Sequence, residues 1–338
     1  MAVTTADIGG VDSLAGILGS AGERLALRCE PHRVGRILRG AVGGELIPPD
    51  DGRVGVTIEI EDDRAPFAVT GFDPVGRGVW RRGHVVVCTN VCSSGFDLRL
   101  TLDGDHPSFT FRRRPPIAVT ATGIFASRAR QLTLLTLLAY PAMWWAARNG
   151  RAPLHVSAFE ASGNAILVAG PAGVGKSTVL QQEVASGARP VSDNLCVTDG
   201  VRVWPVSEPM RIEGAGGKRA PHGRAEKPFD SRPGEVVPHV IVALRRGPAG
   251  VRRLDPPAAA RAIVAGTYMA GELRRFWSFA ATLAAATGVG PSHPPVIAAA
   301  EALSRAVPCV EVTRETTHDA PVSILVMRPG LAEREGVA

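Results

Sequence analysis

The sequence has few cysteines, few aromatic residues and little net charge, and these shortages exclude several classes of protein. Five cysteines, an odd number, are scattered through 338 residues, which argues against a disulfide framework and favours a reduced, cytoplasmic protein. Aromatic residues make up 5% of the chain but hydrophobic residues 45%, as in ordinary soluble globular proteins. The length exceeds that of a usual single domain, so we expect two compact units. The net charge of +6 comes from interleaved acidic and basic residues, with Arg112–Arg114 as the single tight basic cluster. We therefore expect no nucleic-acid partner.

Cys88 and Cys92 form the one close pair of cysteines. No second pair of Cys or His residues with ligand spacing accompanies them, so the pattern favours buried apolar thiols over a zinc site.

The residues from Gln131 to Ala147 carry no charge and include several Leu and Trp residues, so a membrane span must be considered. The stretch lies at the short limit of spanning length and contains Pro141. We therefore predict a buried helix, bent near Pro141, and no contact with a membrane.

Changes of pattern along the chain predict an α/β protein with some α+β character, in three parts. Residues 1–125 are predicted to form a β-rich module with a helical lead-in, because Leu14, Ile17 and Leu18 have a loosely helical spacing. Residues 126–150 form the connecting apolar helix, and residues 151–330 form a nucleotide-binding domain. At the start of that domain, the runs 154–160 and 165–169 predict a hairpin whose second strand leads into a glycine-rich loop.

That loop matches the phosphate-binding template G-x-x-x-x-G-K-[ST]. In this template, glycines let backbone N–H groups turn towards a phosphate, the lysine adds an ammonium, and the hydroxyl can bind Mg²⁺. A strand precedes the loop and a helix is predicted to follow it, so the positive N-terminal end of that helix faces the same anion. The alternative is a Gly-rich turn that matches the template by chance. The predicted nucleotide-binding residues here are Gly170, Pro171, Ala172, Gly173, Val174, Gly175, Lys176, Ser177 and Thr178.

Asp193 and His155 are the predicted partners of Lys176 in catalysis. Asp193 ends the run 189–192, where a returning strand would place its carboxylate beside Ser177 and Mg²⁺; the alternative is a turn residue. His155 is predicted to lie on the strand paired with the one that enters the loop. It could act as a base or as a donor to the transferred group, or it could be a packed or solvated histidine.

A Gly- and Pro-rich segment, residues 214–234, contains Lys218 and Arg219, with Arg211 just before it. Such a segment predicts a mobile lid that closes a cationic clamp on a triphosphate. A solvated loop is the alternative, and Lys218 and Arg219 complete the predicted nucleotide-binding set.

The string LHVSAFEASGNAILVAGPAGVGKSTVLQQEVASGARPVSDN, residues 154–194, resembles the catalytic domain of HPr kinase/phosphorylase. The likeness extends more weakly over residues 150–325. It implies a fold related to phosphoenolpyruvate carboxykinase and phosphorylation of a serine hydroxyl with ATP and Mg²⁺. By position, the resemblance places His155 in the active site, Lys176 and Ser177 at phosphate and metal, and Asp193 as the first acid of a pair.

The second acid of the pair is replaced here by Asn194. An amide cannot accept a proton as a carboxylate does, so three readings stay open: a kinase using Asp193 or His155 as base, a nucleotide-binding or assembly factor with weakened catalysis, and a simple NTPase. The β-rich module is similar to that of stand-alone relatives that tailor ribosomally made peptides such as lasso peptides. The resemblance therefore implies a peptide or small-protein partner, such as a precursor peptide, and allows a homo-oligomer.

Overall fold

The structure, a computed structural model, describes residues 13–114, 123–212, 225–315 and 320–327. It is a mixed α/β protein. The described part of the chain contains four β-sheets, of eight, six, three and two strands. The predicted nucleotide-binding residues Lys218 and Arg219 lie outside the described ranges.

The first half of the chain forms the eight-stranded sheet, in the order β1-β2-β3-β8-β7-β6-β5-β4. Its elements are β1 Leu14–Ser20, β2 Glu23–Cys29, α1 His32–Val42, β3 Val56–Glu61, β4 Asp73–Gly76, β5 Val79–Arg82, β6 Val85–Cys88, β7 Phe96–Asp103 and β8 His106–Arg113. The predicted β-rich character is present, and most neighbouring strands are antiparallel, although β3 runs parallel to both β2 and β8.

The predicted helical lead-in is wrong over residues 14–29, which form an antiparallel pair of strands. Ala21 and Gly22 both have positive φ, 56° and 76°, and so form the tight turn that such a hairpin needs. In β2, Leu25, Leu27 and Cys29 are buried in alternation. A spacing of four, as between Leu14 and Leu18, fits either a helix or a strand, and the turn residues decide between the two.

The apolar stretch is helical, as predicted, and it is buried from Thr133 to Ala147. It comprises α2 Gly123–Leu134, a π-helical turn over Leu135–Ala139, and α3 Tyr140–Arg148. Pro141 lacks the N–H that would continue the α-helical ladder, and the wider turn just before it accommodates that gap. No helix among the described residues is both long and apolar enough to cross a membrane.

This helix lies in the same core as the eight-stranded sheet. Trp144 is fully buried and meets Phe109 of β8 edge to face, with ring centroids 5.8 Å apart. Phe276 and Phe279, from a helix far along the chain, pack against Tyr140. The two halves of the sequence therefore share one hydrophobic core.

The second half forms the six-stranded sheet β12-β10-β11-β17-β19-β18 and the three-stranded sheet β14-β13-β9. Its strands are β9 Ala152–His155, β10 Ser157–Ala161, β11 Asn164–Ala169, β12 Arg189–Ser192, β13 Leu195–Thr198, β14 Val203–Pro205, β15 Met210–Ile212, β16 Ala225–Lys227, β17 Pro238–Arg246, β18 Gly250–Arg253 and β19 Cys309–Arg314. Its helices are α4 Lys176–Ala185, α5 Pro256–Tyr268, α6 Arg274–Thr287, α7 Val296–Ala306 and α8 Val322–Val326. Helix α4 packs on one face of the larger sheet, and α5 and α7 pack on the other.

The predicted hairpin is present, but its first strand is interrupted at Val156. Residues from Ser157 onward pair with β11, as expected. His155 instead ends β9 and pairs with Leu195 of β13, in the smaller sheet. The expectation that His155 lies on the strand paired with β11 is therefore wrong, because the chain changes sheets between His155 and Ser157.

Candidate functional site

The glycine-rich loop, residues 170–177, joins the carboxyl end of β11 to the first turn of α4. Gly170, Gly173 and Gly175 have φ values of 149°, 78° and 112°, a region that residues with a Cβ rarely adopt. Gly175 directly precedes α4, so the free N–H groups of the first helical turn face the loop. Strand, loop and helix thus follow one another in the order that the phosphate-binding motif requires.

Neighbouring backbone holds the start of this loop closely. A Cβ on Gly170 would lie 2.8 Å from the carbonyl oxygen of Leu244 in β17, and a Cβ on Gly266 in α5 would lie 2.8 Å from the carbonyl oxygen of Gly170. Arg246 adds a hydrogen bond from Nη2 to the carbonyl of Gly173, at 2.8 Å. The loop is therefore clamped between β17 and α5.

Lys176 is buried, with 6% of its surface exposed. Its Nζ donates hydrogen bonds to the carbonyls of Gly170 and Pro171, at 2.9 and 3.2 Å. Burial lowers the pKa of Lys176 to about 8, although the nearby carboxylates of Glu272 and Asp193 act to raise it. Ser177, next in the chain, is also buried.

Asp193 lies at the same edge of the sheet as the loop. Strands β12 and β11 are both antiparallel to β10, so they run in the same direction and their carboxyl ends meet at one edge. Asp193 directly follows β12 and is fully buried. Its Oδ2 accepts a hydrogen bond from the backbone N–H of Arg211 at 2.8 Å, and its carbonyl accepts one from the hydroxyl of Ser157.

Asn194 links His155 to the same group of residues. Its Oδ1 lies 2.8 Å from Nε2 of His155 and also accepts from Nη1 of Arg211 at 3.5 Å. An amide oxygen only accepts hydrogen bonds, so the Nε2 atom of His155 carries the proton of this bond. The Nδ1 atom of the neutral imidazole then has a lone pair. Among the described residues, neither His155 Nδ1 nor Asn194 Nδ2 has a hydrogen-bond partner, and both are buried.

Burial, followed by the charge of Lys176, lowers the pKa of His155 to about 4. The imidazole is therefore neutral at physiological pH, and its Nδ1 can accept a hydrogen bond from a bound group.

This shift gives a test of stability against pH. The pKa of His155 in the folded state lies below its ordinary value of 6.5. The neutral imidazole therefore stabilises the fold above pH 6.5, and this contribution to the free energy of unfolding is lost as the pH falls through about 4. The whole loss amounts to about 3 kcal/mol. His155→Gln keeps a donor for Asn194 but cannot titrate. We expect urea unfolding of the wild type to lose more stability than that of the variant between pH about 7 and about 4; parallel curves for the two proteins would contradict the assignment. Burial raises the pKa of Glu208 to about 8, an effect of opposite sign that cancels in this comparison.

Two charged residues from elsewhere in the chain complete the site. The Nη2 atom of Arg211 lies 2.5 Å from Oε1 of Glu272, which is in the turn between α5 and α6, and both side chains are mostly buried. Burial alone would raise the pKa of Glu272, but the adjacent Arg211 outweighs it and lowers the pKa to about 2. Tyr140 donates a hydrogen bond to the Glu272 carbonyl at 2.7 Å, which ties this turn to the central helix.

Sequence reasoning brought together His155, Lys176 and Asp193, and the structure places all three in one cluster. It placed Arg211 in a clamp over the triphosphate, whereas Arg211 lies here beside Asp193 and Asn194. It missed Glu272, which lies 61 residues beyond Arg211 and belongs to no motif. We call these residues the buried polar cluster, and its members are His155, Lys176, Asp193, Asn194, Arg211 and Glu272.

Ser177 and Asp193 provide one hydroxyl and one carboxylate, which are oxygen ligands of the kind that Mg²⁺ prefers. Within the described ranges, no group of three or more His, Cys, Asp or Glu residues is placed to hold a metal ion. A magnesium ion shared with substrate phosphates needs only one or two carboxylates from the protein, so the chemistry of this donor set suits such an ion.

The chain is similar to solved structures, at low sequence identity. No family model matches the chain, and no curated protein matches it. The solved structure of the HPr(Ser) kinase/phosphatase from Coxiella burnetii is similar to 51% of this chain and 91% of its own, with 13% sequence identity and a TM-score of 0.27. A TM-score of this size does not establish a common fold.

Proposed function

We propose that this protein is an ATP- and Mg²⁺-dependent phosphotransferase that phosphorylates a serine hydroxyl of a peptide or small protein. The observation that carries the proposal is that the glycine-rich loop and Asp193 lie at one edge of the sheet, where both Lys176 of the loop and Asp193 are buried. Phosphoryl transfer requires mainly positioning and positive charge around the phosphates, together with a carboxylate near the attacking hydroxyl. The buried polar cluster offers all three.

Each residue has a separate role in this scheme. The backbone N–H groups of the loop and of the first turn of α4 would bind the phosphates, and Lys176 would move its ammonium from the loop carbonyls to a phosphate oxygen. Ser177 and Asp193 would hold Mg²⁺, which adds positive charge to the phosphate oxygens when bound. Arg211 and Asn194 would fix the orientation of Asp193 and His155.

In the transfer step, the serine oxygen of the acceptor forms a bond to the γ-phosphorus. The bond from that phosphorus to the bridging oxygen breaks, and ADP leaves with the electron pair. The hydroxyl proton passes to Asp193. His155 is a weak base because of its low pKa of about 4, so we assign its Nδ1 the role of hydrogen-bond acceptor near the transferred group.

The acceptor class is the finer part of the proposal. The sequence likeness to stand-alone relatives that tailor ribosomal peptides supports a peptide acceptor, such as a natural-product precursor. Asn194 stands where the resemblance has a second acid and cannot accept a proton. The two alternative functions are therefore a nucleotide-dependent assembly factor and a simple NTPase.

Asp193→Asn is the variant that tests this proposal. The change keeps an oxygen for the Arg211 N–H but removes the proton acceptor and the charged metal ligand. With ATP, Mg²⁺ and serine peptides encoded beside the gene, we expect the wild type to form phosphopeptide, detected by mass spectrometry, and the variant to lose about 10²–10⁴-fold in rate. ATP binding without hydrolysis or transfer would instead support an assembly factor, and phosphate release without any acceptor would support an NTPase.

A further inference from the structure

A cleft of about 780 Å³ adjoins the outer side of the glycine-rich loop. One wall is the loop itself, from Gly170 to Val174, and the floor is a face of α5. Four arginines stand around it, Arg245 and Arg246 from the end of β17, Arg252 from β18 and Arg261 from α5. We call this the arginine cleft; it contains none of the buried polar cluster.

The order of strands places the arginine cleft opposite Asp193. In the six-stranded sheet, β12 and its Asp193 lie on one side of β11, whereas β17, β19 and β18 lie on the other. A triphosphate on the loop with its terminal phosphate towards Asp193 and Mg²⁺ therefore directs the remainder of the nucleotide towards β17. That direction leads into the arginine cleft.

The floor of the cleft suits a flat ring. Ala258, Ala262 and Gly266 recur every four residues along the face of α5 that lines the cleft, where the two alanines are half-buried and Gly266 is buried against the loop. They form a strip without long side chains. Pockets that hold small ligands are commonly of this size and combine an apolar surface with a few placed polar groups.

The arginines differ in how they are held. Arg245 and Arg252 both pair with Glu311, at 3.3 and 2.8 Å, and Arg246 binds the loop carbonyl of Gly173. Among the described residues, Arg261 has no ion pair and no side-chain hydrogen bond. A planar guanidinium that is not otherwise engaged can stack on an aromatic base.

We propose that the arginine cleft binds the nucleoside end of the nucleotide, with the base over the small-residue face of α5 and Arg261 against it. The inference rests on the proposed function, because it takes the glycine-rich loop as the phosphate site. It adds a base-contacting residue that the phosphate-binding motif does not include. A cleft with this charge could instead hold an acidic segment of the acceptor, and the experiment separates the two ligands.

The experiment compares the affinities of MgATP and of magnesium tripolyphosphate by calorimetry, because the second ligand has the phosphates but no nucleoside. We expect Arg261→Ala to weaken binding of ATP by about tenfold and to leave binding of tripolyphosphate unchanged. Arg77→Ala, at an exposed arginine in the turn between β4 and β5, should leave both affinities unchanged. Equal effects on both ligands, or no effect on ATP, would overturn the proposal.

A second variant tests the cleft by shape. Ala262→Phe would fill the space over α5 without changing the charge, and it should also weaken the binding of ATP but not of tripolyphosphate. Ala298→Phe, on the exposed side of α7, serves as the folding control. Unchanged ATP affinity with a raised KM for the acceptor peptide would assign the cleft to an acidic acceptor and overturn the nucleoside assignment. Failure of the wild type to bind either ligand would instead refute the proposed function itself.

Discussion

Lys176→Ala is expected to reduce phosphoryl transfer by at least about 10²–10³-fold, the usual cost of removing one preorganised charge from a transition state. Lys176 is the single lysine of α4, and among the described residues its Nζ donates hydrogen bonds only to carbonyls of the loop itself. Its removal should therefore take away charge stabilisation of the phosphates and little else. Transfer rate and ATP affinity, measured on the same preparation, are the readouts.

Stability separates this effect from misfolding. Burial lowers the pKa of Lys176 to about 8, which means that the folded protein binds this proton less well than the unfolded chain, so the charge reduces stability below that pH. The variant should then unfold at the same temperature as the wild type or a higher one. Lys227→Ala, which removes an exposed lysine paired with Asp230, is the matched control and should keep full activity. A Lys176→Ala protein that keeps its transfer rate would refute the role of the loop.

The loop could be predicted from the sequence because its chemistry is local. Gly170, Gly175 and Lys176 have fixed spacing, and the backbone conformations that the loop needs are ones that glycine adopts. The apolar run into β11 and the position of Asp193 one helix later are also local signals. These features required no knowledge of contacts between distant segments.

Glu272 could not be predicted in this way. Its role depends on the turn between α5 and α6 lying over Arg211, and that placement follows from packing of Tyr140 against Phe276 and Phe279. Nothing in the residues next to Glu272 indicates it. The change of sheet at Val156 was missed for a similar reason, since an apolar run gives no sign of which neighbour each residue pairs with.

The position of Asn194 is explained by the charges around it. Its Oδ1 accepts hydrogen bonds from both His155 and Arg211, which a carboxylate could also do. A carboxylate there would adjoin Asp193 in a fully buried site, while Arg211 already pairs with Glu272, and a further buried anion without its own partner is costly. The amide therefore keeps the hydrogen bonds without adding charge, and Glu272 supplies the second carboxylate of the cluster from another part of the chain.

Glu272→Ala is expected to lower the free energy of unfolding by about 3–5 kcal/mol, because it removes the carboxylate that pairs directly with the buried guanidinium of Arg211. Urea unfolding measures the loss, and Glu301→Ala, which removes an exposed pair with Arg305, should cost less than about 1 kcal/mol. Replacing both Arg211 and Glu272 with Met should recover part of the stability, since neither charge is then left alone. The double variant keeps the backbone N–H that binds Asp193, but it should still lose activity, because it lacks the guanidinium that donates to Asn194 in the buried polar cluster. If Glu272→Ala were no more destabilising than Glu301→Ala, the Arg211–Glu272 ion pair would not be holding the α5–α6 turn over the site. The assignment of Glu272 as the second carboxylate of the cluster would then be wrong.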